Sequence, residues 1–286
     1  MPPIARLLCT AAFATAVLTC GLPASLCASE VETARMTWPE IRDAVAAGKT
    51  TVLIPAGGTE QNGPHMVTGK HNVIVAETAR RIAERLGDSL VAPVMAYVPE
   101  GDIAKREGHM AYPGSISVPA DVYIRVLEAA ADSFHSHGFK TIVFLGDSGP
   151  NQEPQRTAAL ALSQRWAGEG VRVINADAYY GANGQAEFLK TDGETDATIG
   201  LHAGIRDTSE LMAVDPGGVR LDRRAADKDG VSGDPARATA ERGAKLIALK
   251  VDAAVQEIRA ARELAPAPAV PQGQSLYDAL WRWFFG

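Results

Sequence analysis

Thr51-Val52-Leu53-Ile54-Pro55-Ala56-Gly57-Gly58-Thr59-Glu60 opens with an apolar run, Thr51 to Pro55, closed by Ala56 and two glycines. A short run without alternation, ended by turn formers, predicts a strand buried on both faces. Similar runs recur at Leu90 to Val98, Thr141 to Leu145 and Val171 to Ala176. Between them the apolar spacing turns helical. Val75, Ala79, Ile82, Ala83 and Leu86 form one stripe, opposed by Glu77, Arg80, Arg81, Glu84 and Arg85. Ile124, Leu127, Ala131 and Phe134 form a second, opened by Pro119 and stopped by Gly138, and a third helix is expected over Gln152 to Ala167. Strands alternating with helices imply right-handed crossovers, a mostly parallel sheet and helices on both faces. The fold class is therefore α/β, with functional groups expected beyond the carboxyl ends of the strands. Asp234 and Pro235 read as N-cap and first position of a closing helix that runs to about Arg262, with Leu246, Leu249 and Ile258 on its apolar side.

The 286 residues suit one domain, because a single sheet covered on both faces can absorb a chain of this length. A hydrophobic fraction of 46% and a charged fraction of 22% exclude a disordered chain. The formal net charge of -6, with no Lys/Arg cluster, argues against a nucleic-acid partner. Residues 1–28 differ from the rest: Arg6, an apolar run from Leu7 to Leu18, then Gly21, Pro23, Ala24, Ser25 and Ala28. That order is a signal peptide cut after Ala28, so a periplasmic or secreted location is expected. Cys9, Cys20 and Cys27 all lie inside it, so the mature chain would have no disulfide, thiolate ligand or cysteine nucleophile. The expected division is signal peptide 1–28, α/β domain 29–264, and a Pro/Ala linker with an aromatic tail over 265–286. Tyr277, Trp281, Trp283, Phe284 and Phe285 give that tail a docking surface for its own body or another subunit; contact with a membrane surface is the alternative.

Four stretches carry chemistry. The first is Gly57 to Met66 with Gly69-Lys70-His71-Asn72, a glycine-rich turn after a strand that presents Glu60, His65 and His71. Carboxylate and imidazole together suit a divalent cation such as zinc or manganese, and polar loop residues without a ligand are the alternative. The second is Gly146-Asp147-Ser148-Gly149-Pro150, where Asp147 is a ligand, a base or a helix cap. Ser148 does not complete a nucleophile elbow, since Pro150 stands where that motif needs glycine. The third is Gly108 to Ser115, with His109 and Tyr112, and the fourth is His202 to Ser209. There His202 and Asp207 read either as an acid–base pair, the carboxylate orienting the imidazole, or as a structural pair.

Taken in order, with Gly138-Phe139 and Gly230 to Glu241, these stretches resemble the creatininase (creatinine amidohydrolase) family across nearly the whole mature chain. The resemblance implies a three-layer α/β/α sandwich, a hexamer or other homo-oligomer, and metal-dependent hydrolysis of a small amide, cyclic or open. The family's metal ligands are only partly kept. Glu60 matches, whereas Asn62, His71, Ser148 and Pro150 stand where the family has His, Asp, His and Glu. Two readings follow. In one, Glu60, His71 and Asp147 hold a single zinc or manganese ion, His202 held by Asp207 moves the proton to the leaving nitrogen, and His65, His109, Tyr112 and Ser148 contact the substrate. In the other, catalysis is lost and the same crevice binds a small solute without turnover.

Overall fold

Within the central strands, alternate side chains point to opposite layers. Leu53, Val143 and Leu145 enter one buried cluster, whereas Val52, Ile54, Ile142 and Phe144 enter another. A sheet buried on both faces needs this arrangement, and it explains why the runs read as continuously apolar. In the computed structural model, which describes residues 30–225 and 229–264, the strands are β1 (Thr51–Ala56), β2 (Ser89–Val91), β3 (Thr141–Gly146) and β4 (Arg172–Asn175). They pair in parallel in the order β2-β1-β3-β4, with Thr51 opposite both Ser89 and Thr141 and Thr141 opposite Arg172. The helices in chain order are α1 (Trp38–Ala46), α2 (Lys70–Leu86), α3 (Ala120–Ser136), α4 (Gln152–Arg165), α5 (Asp177–Tyr180), α6 (Gln185–Thr191), α7 (Asp196–Ile199), α8 (Ile205–Val214) and α9 (Ala240–Glu263). The expected signal peptide, linker and tail lie outside the described residues.

Val75, Ala79 and Ile82 of α2 share a cluster with Ile247, Val251, Ala254 and Ile258 of α9. Tyr123, Leu127 and Ala131 of α3 join Ala158 and Leu162 of α4 on the other face, with Ile41 and Val45 of α1 against them. This is a three-layer α/β/α sandwich. The chain leaves β1 for β2 on one side and returns to β3 on the other, so the helices that follow β1 and β3, α2 and α4, lie on opposite faces of the sheet. A doubly wound sheet opens a crevice at that point.

Two expected elements differ. The run Leu90 to Val98 pairs as a strand only through Val91. Ala92 N–H donates to Leu53 O and Met95 N–H to Pro55 O, so three residues on the edge face two on β1. Pro93 has no N–H to give, and the extra residue bulges there. The closing helix also starts later than Asp234. The Asp234 carboxylate accepts from Ala236 N–H and caps only a 3-10 turn over Pro235–Arg237. Ala238 is extended, and α9 begins afresh beyond Thr239, whose hydroxyl accepts from Arg242 N–H.

Helices α8 and α9 touch at Gly243, where an added Cβ would collide with the Ser209 carbonyl oxygen. Gly243→Ala is therefore expected to destabilise the fold by about 1–3 kcal/mol, the usual size of an overpacking defect. The gain in helix propensity, about 1 kcal/mol, acts in the opposite direction. Urea unfolding reads the sign; a more stable variant would show that the helices can separate without loss.

Candidate metal centre and active site

The turn after β1 is shaped by its neighbours. A Cβ on Gly58 (φ 152) would collide with Glu100 Oε1, so only glycine lets the chain pass that carboxyl. Two residues on, Glu60 is 1% exposed, and its N–H donates to Thr68 O at 3.1 Å. His71 sits in the first turn of α2 and Asp147 directly follows β3. Together they form a string. His71 Nε2 is 2.8 Å from Glu60 Oε1, and Nδ1 is 2.8 Å from Asp147 Oδ2. Burial and the Lys70 charge oppose a proton on this ring, yet the bonds to Asp147 and Glu60 leave its pKa above the ordinary value. Both nitrogens then donate, and an imidazolium links two carboxylates. Burial pushes both carboxyls up, but His71 and Lys70 hold Glu60, and Lys250 and His71 hold Asp147, below the usual range.

The other oxygen of Glu60 faces different partners. Glu60 Oε2 is buried without a well-formed hydrogen bond, although His109 Nε2 lies 3.0 Å away. His202 Nδ1 is 3.8 Å from Glu60 Oε1, and the two imidazole centroids are 4.7 Å apart. Donor atoms of Glu60, His109 and His202 all lie within 4.8 Å of one another. His202 Nε2 donates to Gln61 O at 2.9 Å, which leaves Nδ1 as a bare acceptor toward Glu60. Burial, then Lys70, depresses the His202 pKa, and burial outweighs Glu60 at His109. One ionised carboxylate with an orphaned oxygen and two neutral imidazoles are the donors a zinc or manganese ion takes. The residues present fit a divalent cation.

Each imidazole is placed by its loop. His109 lies in a 3-10 turn over Gly108–Ala111, entered through Gly108 at φ 66 and tied by His109 N–H to Glu100 O at 3.0 Å. His202 precedes Ala203, which holds a left-handed φ of 54. Asp207 Oδ2 fixes that turn by accepting from Ala203 N–H at 2.7 Å, and Ser232 N–H bonds His202 O at 2.8 Å.

Several expected roles move. His71 is saturated by its two carboxylates, so the convergent donor set comprises Glu60, His109 and His202 in place of Glu60, His71 and Asp147. Asp207 makes no hydrogen bond to His202; it serves the Ala203 amide and lies 3.2 Å from the fully buried Lys70 Nζ. His109 stands among the donors instead of with the substrate contacts. His65 is fully buried against Thr208, Nε2 to Oγ1 at 2.9 Å, and burial, then Arg224, lowers its pKa to about 4. It does not line the cavity, and neither does Tyr112, which is 37% exposed. Ser148 does line it.

Other groups escaped the sequence reading. Glu100 packs its carboxyl beside Glu60, and burial followed by the Glu60 charge raises its pKa to about 10, so it is a neutral acid at pH 7. Lys250 Nζ bonds Asp147 Oδ1 at 2.8 Å and Glu210 Oε2 at 3.0 Å. Tyr179 also donates to Asp147 Oδ1, at 2.7 Å. The signal for Lys250 was present: it falls between Ile247, Val251 and Ala254 on the buried stripe of α9, where an unpaired cation would be too costly. Nothing in sequence distance pointed to Glu100.

Glu60, His71, His109, Asp147, His202 and Lys250 line one cavity of about 230 Å³, small for a ligand site and partly enclosed by Ser148-Gly149-Pro150, Tyr180 and Leu201. A family model described as creatinine amidohydrolase matches residues 34–258. A mycofactocin precursor peptide peptidase of Mycolicibacterium smegmatis is 29% identical over 221 residues, 73% of this chain and 84% of that protein. A creatinine amidohydrolase of Pseudomonas putida is 28% identical over 193 residues, 66% and 73% of the two chains. A solved structure described as "Creatininase Mn" superposes with a TM-score of 0.64 at 24% identity, covering 81% of this chain and 98% of that one. With the fold, the cavity at the β1/β3 crevice and the match over most of its length, the chain belongs to the creatininase family, a family of hydrolases.

Proposed function

We propose that this protein is a metal-dependent hydrolase that cleaves the C–N bond of a small amide, with one divalent cation held by Glu60, His109 and His202. The convergence of these three donors on the cavity wall carries the reading. A peptidase and an amidohydrolase among the relatives support the amide bond as the target, and the manganese creatininase supports a cation of that class. Bound there, the cation supplies Lewis acidity toward the amide carbonyl. The chain's own groups do the rest. His71 keeps protons on both ring nitrogens between Glu60 and Asp147, which aims Glu60 Oε2 at His109. Glu100 holds its proton beside Glu60, so the pair carries a single negative charge. Asp207 and Lys70 fix the turn that carries His202. The small cavity excludes bulk water around these groups.

The second reading, solute binding without turnover, is favoured by one observation: both nitrogens of His71 are already spent on carboxylates. Metal content separates the two. Purified protein dialysed against manganese or zinc is expected to retain about one equivalent per chain. His109→Ala and His202→Ala should each reduce that retention at least roughly tenfold, and chelator should stop hydrolysis in a screen of lactams and short peptides. Protein that holds no metal, or turnover that survives chelation, would remove the hydrolase proposed here.

A further inference from the structure

The cavity wall carries three basic side chains besides its imidazoles: Lys70, Lys250 and Arg206. Two are already engaged. Lys250 meets two carboxylates at 2.8 and 3.0 Å, and the fully buried Lys70 lies 3.2 Å from Asp207. Arg206 is different. Its nearest ion pair is Nε to Asp207 Oδ1 at 3.7 Å, beyond hydrogen-bond reach, with the side chain 29% exposed. Among the described residues neither terminal nitrogen of its guanidinium has a hydrogen-bond acceptor. A guanidinium offers five N–H donors in a planar fork that matches a carboxylate with two parallel bonds. A partly buried fork facing a ligand cavity with its donors unused is a recognition element without its ligand.

The position on the fold adds to this. Arg206 is the second residue of α8, and no side chain caps the helix start after Gly204. Asp207, the nearest acid, gives its Oδ2 to Ala203 N–H and to Lys70, so it does not close the arginine fork. The helix pole and the guanidinium both favour an anion here.

We propose that Arg206 binds a carboxylate carried by the substrate, separate from the acyl group released by cleavage, so that the cavity selects small amides bearing an acid group. This rests on the hydrolase reading above for the word substrate, whereas the binding preference stands by itself. N-acetylglycine and glycylglycine present such a carboxylate, and their C-terminal primary amides differ only in its charge.

Titration calorimetry of the mature protein with each acid and its amide, with manganese present and again with chelator, tests the claim. The wild type is expected to bind the acids roughly ten- to a hundredfold more tightly than the amides, the range for hydrogen bonds to a charged group. Arg206→Gln should erase the difference, and Arg206→Lys should keep part of it. Equal binding of acid and amide by the wild type, or binding of neither, overturns the proposal. So does a preference that persists in Arg206→Gln, or one that disappears on chelation while Arg206→Gln leaves it unchanged, since the cation would then be the anchor. Should Arg206→Gln fail to fold by circular dichroism, the wild-type comparison and Arg206→Lys still decide. Loss of turnover with the preference intact would sink the hydrolase reading alone.

Discussion

Glu60→Gln is expected to cost the protein its metal and its activity together. The substitution keeps the length and shape of the side chain but removes the charge on which three imidazoles converge: His71 at 2.8 Å, His109 at 3.0 Å and His202 at 3.8 Å. A neutral amide is a poor ligand for a hard or borderline cation. It would also turn an N–H toward one of those rings. Retained metal should fall from about one equivalent to a trace, and kcat/KM on a responsive amide roughly a thousandfold, the scale set by losing a main electrostatic contact of the transition state. The sharp control is Glu100→Gln. That carboxyl is already neutral at pH 7, its pKa raised to about 10 by burial and by Glu60. An amide of the same shape should therefore change metal content little and kcat/KM by less than about tenfold. Equal losses in both variants would show that the two carboxyls share the charge, against the division of roles drawn here.

The largest stability effect is expected from Lys250→Met. The ammonium is almost fully buried and is held between Asp147 and Glu210. Removing it takes the ammonium from two interior carboxylates and leaves Asp147 to His71 and Tyr179, a loss of about 3–5 kcal/mol for a broken buried pair. The pH dependence has a definite sign. Burial alone would raise the Asp147 pKa, but Lys250 and then His71 depress it below the ordinary value. Its contribution is therefore present above the unfolded-state carboxylate pKa, about 3.9, and is lost as pH falls through the depressed native value. The deficit of Lys250→Met should be widest near neutral pH and narrow toward pH 4, as the two carboxylates take up protons. The double variant Lys250→Met/Glu210→Gln should recover part of the loss by removing one of the two charges. Urea unfolding at pH 7 and pH 4 checks both; a single variant as stable as the wild type would mean that water reaches Asp147.

How far these features were legible in the chain depends on whether their cause is local. Helix α2 followed from the stripe through Val75, Ala79 and Ile82, and α3 from Pro119, Leu127 and Gly138, because amphipathic spacing and end signals act within a few residues. The bulge at Pro93 was also written locally, but an apolar run hides it, since hydropathy does not register a missing N–H. The two-part start of α9 failed for a similar reason. Asp234-Pro235 is a valid cap, and only the extended backbone of Ala238 shows that the capped turn stops after one round.

The site divides along the same line. Glu60, His71 and Asp147 were singled out because each follows a strand or opens a helix next to a glycine turn, and the structure joins them in one string. Their roles were not readable. Whether His71 coordinates a cation or bridges two carboxylates depends on distances between β1, α2 and β3 that no spacing encodes. His109 and His202 come from loops far apart in the chain and reach Glu60 only because the crossover at β1 and β3 opens the crevice where both loops close over it. Glu100 is the extreme case: a surface-type residue by composition, made a neutral acid by burial against Glu60. The chain by itself determined the α/β class, the crevice and the chemical types gathered there, because periodicity and turn chemistry are local. Tertiary structure alone decided which oxygen of Glu60 stays free, which imidazoles meet it and which carboxyl keeps its proton, because these depend on desolvation and on charges a few ångströms away in space.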